Sequence, residues 1–127
     1  MTIKITKALD LEALKSQINK QKAPIKVAYK FSKLFSQLEE STNFYREKLQ
    51  EIIDTYAERD ENGEMVPATD GAGVQIQKDR IPECQKELNE LTGLEIEAPD
   101  ILFTLDELEG FDLSIEQFDL LLPFIAE

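Results

Sequence analysis

Between residues 24 and 59, Ala28, Phe31, Phe35, Leu38, Thr42, Tyr45, Leu49, Ile52 and Tyr56 recur at alternating steps of three and four. All but Thr42 are apolar, and that spacing is the seam of one long helix. The stretch holds no glycine, and no proline after Pro24. Pro24 suits a first helical position, where its missing N–H leaves no bond unmade. Such a helix would run ~54 Å, against ~17 Å for an average one. It therefore has to pair with a second helix, with a copy of itself, or with a partner. Val27, Leu34, Phe44 and Ile53 widen the stripe beyond a two-stranded coiled-coil seam, which favours burial in a bundle. Residues 39–43 (Glu-Glu-Ser-Thr-Asn) are the weak point, because Ser, Thr and Asn side chains compete for backbone groups; a bend or break is expected there.

The flanking chain alternates between short elements. Residues 2–6 read as a strand, polar and β-branched apolar in turn. Asp10 reads as an N-cap, with Leu11, Leu14 and Ile18 on one face of a short helix, and residues 20–23 link it to Pro24. Asn62-Gly63 closes the long helix with a turn. Met65-Val66 and residues 74–77 flank a second turn at Asp70, Gly71 and Gly73, which predicts a small hairpin or a loop. A second helix is predicted over 80–93, with Pro82 in its first turn and Gly93 as its cap. Its apolar face carries Ile81, Cys84, Leu88 and Leu91, making it the antiparallel mate of the long helix's last turns. Residues 94–97 alternate as a strand. Thr104 with Glu107, and Ser114 with Gln117, form two capping-box patterns, the second opening a C-terminal helix that buries Phe118, Leu121, Leu122 and Ile125. The expected fold is mainly α with minor β. It divides a single domain, 1–127, into strand and short helix (1–22), long helix (24–59), turn or hairpin (60–79), second helix (80–93) and acidic C-terminal segment (94–127).

Charge adds a polarity that the pattern alone does not show. Net charge is −12, yet residues 1–35 carry eight lysines against Asp10 and Glu12, and after Lys86 there are twelve acids and no basic residue. That layout argues against nonspecific binding to nucleic acid or to an anionic membrane. It fits a solvated acidic surface, a basic partner for the tail, or docking of the lysine-rich start on the acidic end. No run approaches the ~20 apolar residues of a membrane span, and the N-terminus does not resemble a signal peptide. The host cytoplasm is the expected location, with association to a virion as the alternative.

The chemistry expected of the chain is sparse. There is no histidine, so neither Ser-His nor Cys-His catalysis is available, and the commonest metal ligand is missing. The single cysteine, Cys84, lies on an apolar helix face and reads as a buried small hydrophobe. The acidic stretch around Asp60 lacks the ligand spacing of a calcium loop. Gly71-Ala72-Gly73 lacks the lysine of a phosphate loop. Tyr29, Phe31, Phe35, Phe44 and Tyr45 interleave with Lys26, Lys30 and Lys33, as in single-strand binders, but they sit at core spacing. No catalytic, metal or cofactor site is expected.

The runs APIKVAYKFSKLFSQLEE, YREKLQEIIDTYAERDENGEMV, ELNELTGLEIEA and LDELEGFDLSIEQFDLLLPFI resemble a family of small uncharacterised proteins, a domain of unknown function, encoded by tailed phages and prophages of Firmicutes. The resemblance spans most of the chain from Ala23 onward. It implies a phage-encoded protein and no activity, and no functional residue is carried over from it. The first expectation is a non-enzymatic interaction, structural or assembly protein, binding a phage structural protein, a host factor or itself. Its interaction candidates are Phe31, Phe35, Leu38, Tyr45, Leu49, Ile52 and Tyr56 of the seam, with Asp106, Glu107, Glu109, Asp112, Glu116 and Asp119 of the acidic end. The alternative is an acidic mimic of DNA that blocks a host nuclease or restriction system. A third reading, DNA binding through Lys4, Lys7, Lys15 and Lys20, is opposed by the net charge.

Overall fold

The computed structural model describes residues 1–126. The chain is mainly helical with a two-stranded sheet. In order it forms β1 (Thr2–Lys4), α1 (Ile5–Ala13), α2 (Lys15–Asn19), α3 (Ile25–Tyr56), α4 (Ile81–Thr92), β2 (Glu95–Glu97), α5 (Leu105–Leu108) and α6 (Ile115–Leu121). These divide into two compact units. One comprises Met1–Asn43 with the chain from Glu95 onward, and the other is Phe44–Leu94. The helix α3 contributes its first part to one unit and its remainder to the other.

In the first unit, β1 pairs antiparallel with β2, in the register Thr2↔Glu97, Ile3↔Ile96, Lys4↔Glu95. The helix α1 starts at Ile5, directly after the strand, with Lys4 extended and offering no side-chain cap. The sequence reading placed that start at Asp10, which instead lies exposed inside α1. Burial of Ile5, Ala8 and Leu11 on one face outweighs a cap worth ~1 kcal/mol. Ala8 and Leu11 join Val27, Phe31, Leu34, Phe35 and Leu38 of α3, and Phe103, Leu108, Leu121 and Phe124 from the C-terminal segment, in one apolar core. Phe31 lies at its centre, with the Phe103 ring at 4.5 Å, Phe111 at 5.1 Å and Phe35 at 6.0 Å between centroids. Phe103 N–H donates to the Phe124 carbonyl (2.6 Å) and Ala126 N–H to the Phe103 carbonyl (2.8 Å), so residues 124–126 are laced beside residue 103.

The expected break at 39–43 does not occur. Thr42 is fully buried inside a continuous helix, and its hydroxyl donates to the Glu12 carboxylate of α1. It also lies 3.1 Å from the Glu39 carbonyl oxygen. A polar seam position is thus satisfied by its partner helix instead of interrupting the coil.

In the second unit, α4 runs back along the last turns of α3. Arg80 stacks over the Tyr56 ring (4.7 Å), while Phe44, Lys48, Leu91 and Leu94 border one groove at the other end. The helix α3 ends at Tyr56, three residues before Arg59, because Ala57 leaves it to bridge Ile76. The hairpin expected over 60–79 has a third limb. Glu58 N–H donates to the Gln75 carbonyl (2.7 Å), Gln75 N–H to Val66 (2.7 Å), and Val66 N–H back to Glu58 (2.9 Å). This ring of three backbone bonds ties the helix end to both strands of the expected hairpin. The Asp60 carboxylate accepts from the N–H groups of Asn62 (2.9 Å) and Glu64 (3.0 Å) around Gly63, whose φ of 79° favours glycine.

Candidate functional site

The seam residues singled out from the sequence have different fates. Phe31, Phe35 and Leu38 are buried in the core of the first unit, and Tyr56 is buried in the second. These four are each under a tenth exposed, which corrects their assignment to an open interaction face. The cause lies in the elements that flank α3: both ends of the chain fold over its first half. In the second unit the cover is thinner. Tyr45, Leu49, Ile52 and Ile53 remain half-buried, and no residue from Phe44 to Thr55 is fully buried. Phe44 is 44% exposed. With Ile52, Leu91 and Leu94 it lines a groove of about 300 Å³ whose polar rim is Lys48, Glu51, Thr55, Glu87 and Glu90. The Tyr56 hydroxyl is held above its ordinary pKa by its hydrogen bond to Glu87, with burial adding to the shift.

The acidic candidates all lie on the segment carrying α5 and α6. Asp106, Glu109, Asp112, Glu116 and Asp119 are exposed, whereas Glu107 is half-buried and engaged. Its carboxylate accepts from Lys30 Nζ at 2.7 and 2.9 Å and from Thr104 N–H at 2.8 Å, closing the predicted capping box. The Lys30 contact, followed by the Thr104 backbone bond, holds its carboxyl below the ordinary glutamate range. The second capping box, Ser114 with Gln117, starts α6 as predicted. The loop before it is pinned by side chains of α2 and its neighbour. Gln17 Nε2 donates to the Asp112 carbonyl (2.6 Å), and Gln21 Oε1 accepts from Asp112 N–H (2.9 Å). The result is an apolar groove of about 580 Å³ floored by Leu108, Phe111 and Phe118. Leu105 and the 83% exposed Ile115 border it, with Asp106 and Glu109 alongside.

Sequence reasoning missed a further surface on the first unit. Ile25 (88% exposed) and Tyr29 (67% exposed) stand one turn apart at the start of α3, and with Ile101 and Leu102 they line a cleft of about 520 Å³. Lys26, Lys30 and Lys33 surround it with Asp100, and Lys30 is engaged by Glu107. This corrects the reading of Tyr29 as an aromatic at core spacing: Ile25 and Tyr29 lie four apart and off the seam that begins at Ala28. A separate cavity of about 340 Å³, between α2 and α3, is lined by Phe31, Phe35 and Phe111 and carries one carboxylate, Glu39.

Among the described residues, no group of three or more Cys, Asp or Glu side chains is placed to hold a metal ion. Cys84 is buried, and that burial, with the charge of Glu87, pushes its thiol pKa up, away from nucleophilic use. Among the same residues no helix is long and apolar enough to cross a membrane. What these surfaces offer is contact area: apolar floors with charged rims. No protein-family model matches the chain, and neither does any curated protein or solved structure.

Proposed function

We propose that this is a non-enzymatic protein of phage or prophage origin that presents an apolar helical surface to other proteins, as an interaction or structural accessory of assembly. The observation that carries this reading is the open seam of α3 in the second unit, where Tyr45, Leu49, Ile52 and Ile53 are only half covered and Phe44 faces solvent. Apolar side chains at helical spacing with a charged rim are what a partner helix or groove takes up. The phage origin rests on the likeness of the quoted runs to the phage family. The occupant is a phage structural protein or a host factor, met in the host cytoplasm or in the virion.

The DNA-mimic reading draws on the exposed carboxylates of Asp106, Glu109, Asp112, Glu116 and Asp119. It is the weaker one, because two of these acids border an apolar groove that a phosphate mimic has no use for.

The test is affinity capture from phage-producing host cells, using wild type, Phe44→Lys and Ile52→Lys, each first shown to be folded by circular dichroism. A phage or host protein retained by wild type and lost by both variants is the expected result. Retention of the same proteins by all three would remove this face from the account.

A further inference from the structure

The two charged clefts of the first unit complement one another. One has an apolar floor of Ile25, Tyr29 and Leu102 with Lys26 and Lys33 outnumbering Asp100 at its rim, and the other has Leu105 and Ile115 flanked by Asp106 and Glu109. They are also neighbours. Lys30 lines the basic cleft, and its ammonium holds Glu107, whose chain neighbours Asp106 and Leu108 line the acidic groove. Leu102 and Leu105, one in each, are three residues apart. A strip with a basic-apolar half beside an acidic-apolar half is self-complementary. Under a two-fold rotation each half meets the opposite half of the other copy, as an isologous interface requires. The exposed apolar side chains Ile25, Tyr29, Leu102, Leu105 and Ile115 are each more than half exposed. At roughly 100–150 Å² apiece they reach the upper end of the ~300–600 Å² that a monomer's largest apolar patch displays, and with the charged rims they approach the ~800 Å² per partner of a stable interface.

We infer that the chain forms a two-fold dimer in which the lysine-rich cleft of Ile25, Tyr29 and Leu102 receives the acid-flanked Leu105 and Ile115 of a second copy. The inference rests on the reading of this chain as a protein that presents surface to proteins, and it names the partner for one surface. The axis passes near the Lys30–Glu107 pair. Lys26 and Lys33 of each copy face Asp106, Glu109 and Glu116 of the other.

Sedimentation velocity of the full chain at low and high salt tests it, with two charge-reversed variants at exposed positions, Lys26→Glu/Lys33→Glu and Glu109→Lys/Glu116→Lys. Wild type should sediment as a dimer that weakens as salt rises. Each variant alone, with an unchanged circular dichroism spectrum, should dissociate at least about tenfold more readily, since both halves of its interface become like-charged. An equimolar mixture of the two should regain the dimer, because every contact is again between opposite charges. A wild type that stays monomeric at about 100 μM and low salt would overturn the inference, as would a dimer indifferent to both reversals or variants whose mixture stays monomeric. The two readings fail separately. A monomer that still loses its captured partner on Phe44→Lys leaves the proposed function standing, and a dimer with no partner at Phe44 leaves only the inference.

Discussion

Replacing Thr42 with valine changes one buried hydroxyl for a methyl and little else. The side chain is fully buried in α3, and its hydroxyl donates to the Glu12 carboxylate. A hydrogen bond to a charged acceptor contributes about 1.5–3 kcal/mol net. Threonine and valine have nearly equal helix propensity, so the backbone term is close to zero. The added methyl returns at most about 0.8 kcal/mol. Thr42→Val should therefore destabilise the first unit by about 1–2 kcal/mol, a fall of about 4–8 °C in Tm per kcal/mol for a cooperative unit of this size. Urea titration of wild type, Thr42→Val, Glu12→Met and the double variant measures it. Each single variant already loses the shared bond, so the double variant should fall short of the sum of the singles by at least about 1 kcal/mol. A Thr42→Val protein as stable as wild type, or strictly additive variants, would show that the hydroxyl does not hold α1 to α3.

Glu107→Gln keeps an acceptor for the Thr104 cap and removes the charge that faces Lys30, so it should cost about 1 kcal/mol at pH 7. Because Lys30 holds the folded carboxyl below its unfolded value, that contribution is present above the unfolded value and lost as pH falls through the folded one; urea midpoints for the two proteins should converge once the pH is below both. Cys84 should react with a thiol reagent at least about 100-fold more slowly in the native protein than in urea, following the opening of the second unit, because it is buried with a raised thiol pKa. Gly63→Ala should lower thermal stability by about 1 kcal/mol. A Cβ there meets no atom within 4 Å, so the cost is that of the left-handed backbone alone, and Gly63→Asn should lose less.

The elements whose cause is local were legible in the sequence. The 3–4 spacing of α3, Pro82 and Gly93 at the ends of α4, and both capping boxes follow from side chains within one or two turns of each other. What depends on distant residues was not. Thr42 reads as a helix weakness until Glu12, thirty residues away, is brought against it. The alternation at 2–6 and 94–97 is visible, but only Thr2–Lys4 and Glu95–Glu97 pair, with Ile5 and Thr6 taken into α1, and a pairing between segments so far apart in the chain leaves no local mark. Asp10 carries the chemistry of a cap, yet the cap is unused because Ile5 and Ala8 already lie on the buried face. The seam of α3 looks uniform from residue 28 to 56. Its division into a buried first half and an open second half is set by how many elements pack on each, and periodicity does not record that. For the same reason, periodicity does not separate the covered Phe31, Phe35, Leu38 and Tyr56 from Tyr29, an aromatic of the same helix that is exposed.

The claim that the open seam of α3 docks another protein is tested most directly by a photo-crosslinking side chain placed at Phe44, and as a control at Gln50, on the polar face of the same helix, in phage-producing host cells. The account predicts one discrete adduct from position 44 and none from position 50. No adduct at either site, or the same adducts at both, would contradict it.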